Sequence, residues 1–339
     1  MRKILNVGLI GAGRIGRLHG DILAKLPGVR LAAVAETLLN DDCKAWAQGL
    51  GAQKITNNPD DIFGDAGIDV VYICSPTETH ADFITRAANA GKHVFCEKPI
   101  HTDPSAIKSA IAAVKKAGVK LHIGFVRRFD RNHKKVRDTV ASGKLGKAHI
   151  VKVTSRDPEM APAEYMVDSG GIYLDMTIHD FDMARYLSGS EITEVTAYGA
   201  VLINPAIAEQ DDVDTTIVML KFESGAIGVI ENSRAARYGY DQRTEVHCDK
   251  GCVQVSNDLI DNSMISTAEG VFIEKPTWFF LERYHAAFAA QSRDFIDCIV
   301  NDAPEPVNGH DGLMAVYIAM AAAISRKEGR SVKIAEVAK

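Results

Sequence analysis

"VGLIGAGRIG", residues 7 to 16, places glycines at 11, 13 and 16 directly after a short apolar run. In a chain with 27 glycines that spacing carries little weight alone, so its flanks decide what it means. Ile4 to Ile10 reads as a buried strand. Arg14 to Leu26 sets Ile15, Leu18, Ile22 and Leu26 at helical spacing and stops at Pro27-Gly28. A second apolar run, Val29 to Ala35, ends in Glu36. Strand, glycine turn, helix and strand is the context that a dinucleotide-binding loop requires. Gly11 permits the tight turn, Gly13 admits a pyrophosphate close to the backbone, and Gly16 lets helix and strand approach. Glu36 stands where a carboxylate accepts hydrogen bonds from a ribose 2′-hydroxyl and repels a 2′-phosphate, so NAD is expected rather than NADP.

Working outward, apolar runs and helical patterns alternate as far as residue 125. The runs lie near 52–55, at "DVVYICSP" (69 to 76), at "HVFCEKP" (93 to 99) and at "KLHIGF" (120 to 125), with helices at Glu78 to Ala90 and Pro104 to Ala117. This rhythm predicts an α/β Rossmann domain, a doubly wound parallel sheet over residues 1–125. Ligands of such sheets bind beyond the carboxyl ends of the strands. The glycine loop with Ala12, Arg14 and Ile15, the segment Ser75, Pro76, Thr77 and His80, and the pair Glu97 and Lys98 are therefore the expected cofactor-binding residues.

Beyond 125 the rhythm changes. Long alternating runs at 148–157, 192–202, 214–235, 243–256 and 264–274 are punctuated by Ser-Gly, Lys-Gly and Glu-Gly turns. They predict an α+β domain over 126–339 with a large, open, mainly antiparallel sheet, and helices at 172–188, 278–301 and 311–328. The C-terminal helix has room to pack back on the first domain. An open sheet with an uncovered face seeks a partner, so a homo-oligomer joined through it is expected.

Composition removes other classes. A hydrophobic content of 46% and a charged content of 24% are those of an ordinary globular protein. A net charge of -5 gives no electrostatic reason to expect nucleic acid, and no run of about 18 apolar residues suggests a membrane span. Six scattered cysteines and no evident export signal point to reduced thiols in a cytoplasm. Cys248 and Cys252 flank an expected hairpin turn and lack further ligands nearby, so no metal is expected.

The chemistry concentrates in "GGIYLDMTIHDFDMARYL", 170 to 187. Asp175 and His179, four apart in a helical pattern, would share a face that Asp182 continues one turn on. Their apolar neighbours make a buried pair plausible. Oxidising an alcohol requires a base for the hydroxyl proton and a cation to stabilise charge on oxygen; histidine and lysine suit these tasks, and Lys98 precedes a proline beyond a strand end.

"GLIGAGRIGRLH", "CSPTETHADF", "FCEKPI", "GFVRRFD" and the 170–187 segment, followed by "YGYDQRTEV" and "FFLERYHAAF", occur in one order along the chain. In this it resembles the glucose-fructose oxidoreductase, inositol dehydrogenase and MocA group of NAD(P)-dependent oxidoreductases, most of all the inositol dehydrogenases. The resemblance implies catalytic roles for Lys98, Asp175 and His179, and a polyol site lined also by Arg127, Asp157 and Tyr240. It implies oxidation of myo-inositol at its 2-position with NAD, in a tetramer. Scyllo-inositol, D-chiro-inositol or an aldose are alternative substrates, and a non-catalytic NAD-binding regulator is the alternative class.

Overall fold

The computed structural model describes residues 4–160 and 170–338. The chain divides into two compact units. One takes in the sequence as far as Val126 and then Phe288–Met314; the other comprises Arg127–Ala287 and the chain from Ala315 onward.

In the first unit, β1 (Leu5–Ile10), β2 (Val29–Ala35), β3 (Lys54–Thr56), β4 (Val70–Ile73), β5 (His93–Cys96) and β6 (Leu121–Ile123) form a sheet ordered β3-β2-β1-β4-β5-β6. Every neighbouring pair is parallel. Helices α1 (Arg14–Leu23), α2 (Asp41–Gly49), α3 (Asp60–Phe63), α4 (Thr77–Asn89) and α5 (Pro104–Ala117) connect them. All four residues of β4 are buried, the mark of a strand covered on both faces. Helix α5 shows why local sequence suffices there: the Asp103 side chain accepts from Ser105 N–H, Pro104 opens the first turn, and Gly118 closes it at φ +67°. β1 has β2 on one side and β4 on the other, so strand order reverses there and a crevice opens beyond their carboxyl ends.

Gly11 adopts φ +90°, and a Cβ on it would fall 2.6 Å from the Cys74 carbonyl and the Ser75 nitrogen. A Cβ on Gly16 would lie 1.9 Å from the Gly11 oxygen, whereas one on Gly13 meets nothing within 4 Å. Two of the three glycines are thus demanded by packing, and the third leaves open space.

The second unit is built on a seven-stranded sheet ordered β12-β11-β7-β10-β9-β8-β15. Its strands are β7 (Ala148–Arg156), β8 (Ile192–Ala200), β9 (Thr215–Phe222), β10 (Ile227–Ser233), β11 (Asp241–Cys248), β12 (Gly251–Val255) and β15 (Val332–Lys333). Pairing is antiparallel except between β7 and β10. The run at 264–274 does not join this sheet; β13 (Met264–Thr267) and β14 (Gly270–Ile273) form a separate hairpin. Helices are α6 (Arg131–Ala141), α7 (Gly171–Asp175), α8 (Ile178–Ser188), α9 (Phe280–Val300) and α10 (Gly309–Glu328). The division between the units falls inside both α9 and α10.

The expected single helix at 172–188 is two helices, because Met176 and Thr177 N–H both turn back to the Ile172 carbonyl and break the regular ladder. One face of the large sheet is covered, with Thr216, Val218, Leu220 and Phe222 of β9 buried. The opposite face exposes Tyr198, Ile217, Met219 and Ile227. No helix among the described residues is long and apolar enough to cross a membrane.

Gly16→Ala is expected to lower unfolding stability by at least about 2 kcal/mol, because a backbone oxygen cannot rotate aside. Gly13→Ala should stay within about 1 kcal/mol of the parent while weakening NAD binding. Urea unfolding and NAD titration check both, and equal stability losses would contradict this packing.

Candidate active site

In the first unit the expected cofactor residues gather at the carboxyl ends of β1, β2, β4 and β5. Gly13 caps α1 with no side-chain hydrogen bond, leaving the helix N-terminus and the space above it open to an anion. Arg14 is exposed beside it and Ile15 half-buried. The Glu36 carboxylate folds back on this loop: Oε2 accepts from Ala12 N–H at 2.6 Å, and Oε1 accepts from Leu38 N–H at 3.0 Å. It is thereby fixed next to the glycine turn with lone pairs remaining for a diol. The open cradle at Gly13 and this carboxylate fit a dinucleotide.

Ser75 and Thr79 hydroxyls lie 2.6 Å apart, Pro76 is exposed, and Thr77 begins α4. His80 is different: it is 2% exposed, with Nδ1 2.7 Å from the Pro99 carbonyl and Nε2 2.8 Å from the Ser75 carbonyl. Burial depresses its pKa, which the two carbonyls oppose. With its ring nitrogens so placed, the side chain ties the loop after β4 to the loop after β5. Lys98, half-buried, follows β5 and precedes a cis proline. The Glu97 Oε1 lies 2.8 Å from Nε2 of the fully buried His19, a residue to which the sequence assigned no role.

In the second unit the inward-facing columns of adjacent strands change character along their length. β7 buries Val151 and Val153, then Ser155, and Asp157 follows at the same parity; β10 buries Ile230, then Asn232, and Arg234 follows. β11 contributes Gln242 from the same end. The inner face is therefore apolar at one end and polar at the other, and α8 packs across β7.

Arg127, 5% exposed, donates from Nη1 to Asp180 at 2.5 Å and from Nη2 to Ser155 Oγ at 3.2 Å and Tyr240 Oη at 3.3 Å. Asn232 Nδ2 donates to the other Asp180 oxygen at 2.8 Å, and its Oδ1 accepts from Thr177 Oγ1 at 2.7 Å. Gln242 Nε2 donates to Ser155 Oγ at 2.8 Å. Arg234, 2% exposed, donates from Nη1 to Asp175 Oδ2 at 3.2 Å. Burial raises the Asp180 carboxyl, with Arg127 and Asn232 pulling against it. Burial also pushes Asp157 up to about 6, opposed by Arg234 and Arg127 and reinforced by Asp175 and Asp180. Burial raises Tyr240 as well, so its phenol stays neutral.

Arg127 and Tyr240 thus share one hydrogen-bonded network, while Asp175 pairs with Arg234, whose charge also acts on Asp157, and half-buried His179 opens α8 beside them in sequence. Asp182 is not part of that network. It forms a buried pair with Arg128 at 2.5 and 2.8 Å, and the break before α8 puts Asp175 on a different helix from both His179 and Asp182. Sequence reasoning passed over Ser155, Asp180, Asn232, Arg234 and Gln242. The available signal was polar residues at inward parity toward one end of each alternating run. All six cysteines are free, and among the described residues no cluster of His, Cys, Asp or Glu is suited to hold a metal.

Residues 5–125 match the model described as an oxidoreductase family with an NAD-binding Rossmann fold, and 133–254 match the GFO/IDH/MocA C-terminal domain. The chain belongs to the GFO/IDH/MocA oxidoreductases. Over 333 residues it is 43% identical to a myo-inositol 2-dehydrogenase of Thermotoga maritima, covering 98% of this chain and 99% of the other. It is 44% identical to an inositol 2-dehydrogenase of Rhizobium meliloti, covering 97% and 98%. A crystal structure of a probable dehydrogenase from Thermotoga maritima superposes with a TM-score of 0.96 at 43% identity, over 98% of this chain and 100% of that one. Family membership accounts for the paired folds and the cofactor class of the first unit.

Asp157 gives a pH-dependent prediction. Its pKa in the folded protein lies above the ordinary carboxylate value, so its contribution to stability is full below about 4 and lost as pH rises through about 6. Asp157→Asn should therefore gain on the parent between pH 4.5 and pH 8 by on the order of 2 kcal/mol. Urea unfolding at both pH values reads this, and a parent-variant difference independent of pH would refute it.

Proposed function

We propose that this protein oxidises myo-inositol to its 2-keto product, scyllo-inosose, with NAD. The observation that carries the reading is near full-length likeness, at 43% and 44% identity, to two proteins named as inositol 2-dehydrogenases. NAD, when bound, accepts the hydride. Gly11, Ala12, Gly13, Arg14 and Ile15 would hold its pyrophosphate side, Glu36 its ribose, and Ser75, Pro76, Thr77, His80 and Glu97 would line the remainder.

Within the chain, His179 takes the proton of the reacting hydroxyl, and Asp175 supports the cation that forms. Lys98 stabilises the negative charge that grows on the oxygen. Asp157, Arg127 and Tyr240 hold and recognise the other hydroxyls, where an unpaired buried polar group penalises the wrong stereoisomer. Retention of Lys98, Asp175 and His179 together favours an enzyme over a non-catalytic NAD-binding regulator. The enzyme acts in polyol breakdown in the cytoplasm.

A panel of inositol stereoisomers and aldoses with NAD and NADP, followed by absorbance of the reduced nicotinamide, tests the reading. Myo-inositol with NAD is expected to give the highest kcat/KM, and Glu36→Ser should narrow the preference over NADP. Lys98→Ala and His179→Ala should each reduce turnover by a factor of about 10² or more while NAD still binds. Preference for scyllo-inositol, D-chiro-inositol or an aldose would change the substrate, and near-normal turnover in both variants would remove the assigned roles.

The exposed apolar face of the large sheet supports a homotetramer assembled through it, with Ile217, Met219 and Ile227 exposed by 46%, 48% and 48%. Met219→Lys combined with Ile227→Lys should shift the particle toward a smaller species in sedimentation velocity. An unchanged assembly would place the interface elsewhere.

A further inference from the structure

Arg234 is a deeply buried cation to which no step of the proposed reaction gives a task. Its side chain is 2% exposed; Nη1 reaches Asp175, while Nε and Nη2 find no hydrogen-bond partner among the described residues. A guanidinium buried with two of its nitrogens unsatisfied is costly, and native folds keep such a group where its charge is needed. The backbone explains how it arrives. β7 and β10 run parallel and end together at Arg156 and Ser233. One residue further, Asp157 N–H donates to the Ser233 carbonyl and Ala236 N–H donates to the Asp157 carbonyl, so Asp157 and Arg234 emerge side by side. Arg234 N–H donates to the Asp214 carbonyl, which anchors the main chain at that point.

Charge arithmetic shows what the cation does. Among the described residues, Arg127 and Arg234 are guanidinium groups that act on the carboxylates of Asp157, Asp175 and Asp180. Arg127 is committed to Asp180 through a 2.5 Å contact. Arg234 donates to Asp175 directly, and its charge also acts on Asp157. We propose that Arg234 is a positioning residue that orients Asp175 and keeps it ionised, so that its carboxylate is available to His179. This rests on the dehydrogenase reading for its connection to turnover, although the arrangement of charges does not depend on that reading.

Without the guanidinium, Asp175 would lose the buried positive charge bonded to it, and the state in which it is charged would appear only at higher pH. Arg234→Gln is expected to move the acid limb of kcat/KM upward by about one pH unit or more, and to lower kcat about tenfold with a smaller change in KM. Arg234→Lys, which keeps a charge but not the planar fork, should fall between the parent and the Gln variant.

A second readout needs no turnover. Carbon-13 labelling of the aspartate side chains follows the carboxyl titrations directly, and Asp175→Asn and Asp157→Asn assign the two resonances. The Asp175 midpoint should rise in both Arg234 variants, by more in the Gln variant. A folded Gln variant with an unchanged Asp175 midpoint and acid limb overturns the proposal. If the Gln variant does not fold, a Lys variant matching the parent in midpoint and limb overturns it as well. If the parent oxidises no polyol or sugar, the proposed function fails, while the carboxyl titration still decides the role of Arg234.

Discussion

The close approach of the Gly11 turn to the end of β4 is the constraint on which the first unit depends. The backbone of Gly11 lies against Cys74 and Ser75 so closely that even a methyl group would overlap them, and Gly16 in turn rests on the Gly11 oxygen. These two contacts fix where α1 begins. Its capless first turn, opening at Gly13, follows from them. So does the position of Glu36, whose carboxylate is held by an N–H of the same loop. A cofactor site is here largely a by-product of packing backbone on backbone, with charge added at the rim.

The second unit solves a different problem. Its site consists of charges that a hydrophobic core would ordinarily reject, and they are tolerated because nearly every one is matched. Arg127 alone binds Asp180, Ser155 and Tyr240, while Asn232 closes the other side of Asp180. Removing one member of such a network costs more than the pair is worth, since its partner is left buried and charged. Asp157, pushed up to about 6, is the member least well compensated, and incomplete compensation makes a carboxyl responsive near neutral pH.

Much of the first unit was legible because local signals agreed with one another. Pro104 to Ala117 carried its own cap, proline and terminal glycine, and the glycine loop sat between a strand and a helix. The second unit was legible in its alternation but not in its pairing. Nothing in the run at 148–156 announces that its neighbour will be parallel, and nothing at 264–274 says that this hairpin will stand apart. The helical spacing of Asp175, His179 and Asp182 misled for a physical reason: two N–H groups converge on the Ile172 carbonyl, and the helix is broken between Asp175 and His179. Arg234 escaped notice because its meaning comes from a strand distant in sequence.

The parallel alignment of β7 with β10 has an evolutionary consequence. Side chains change face at each successive residue of a strand, so deleting or inserting one residue within either strand would turn Asp157 or Arg234 away from the inner face. Length variation should therefore be purged from these two strands even where substitutions at outward positions are harmless.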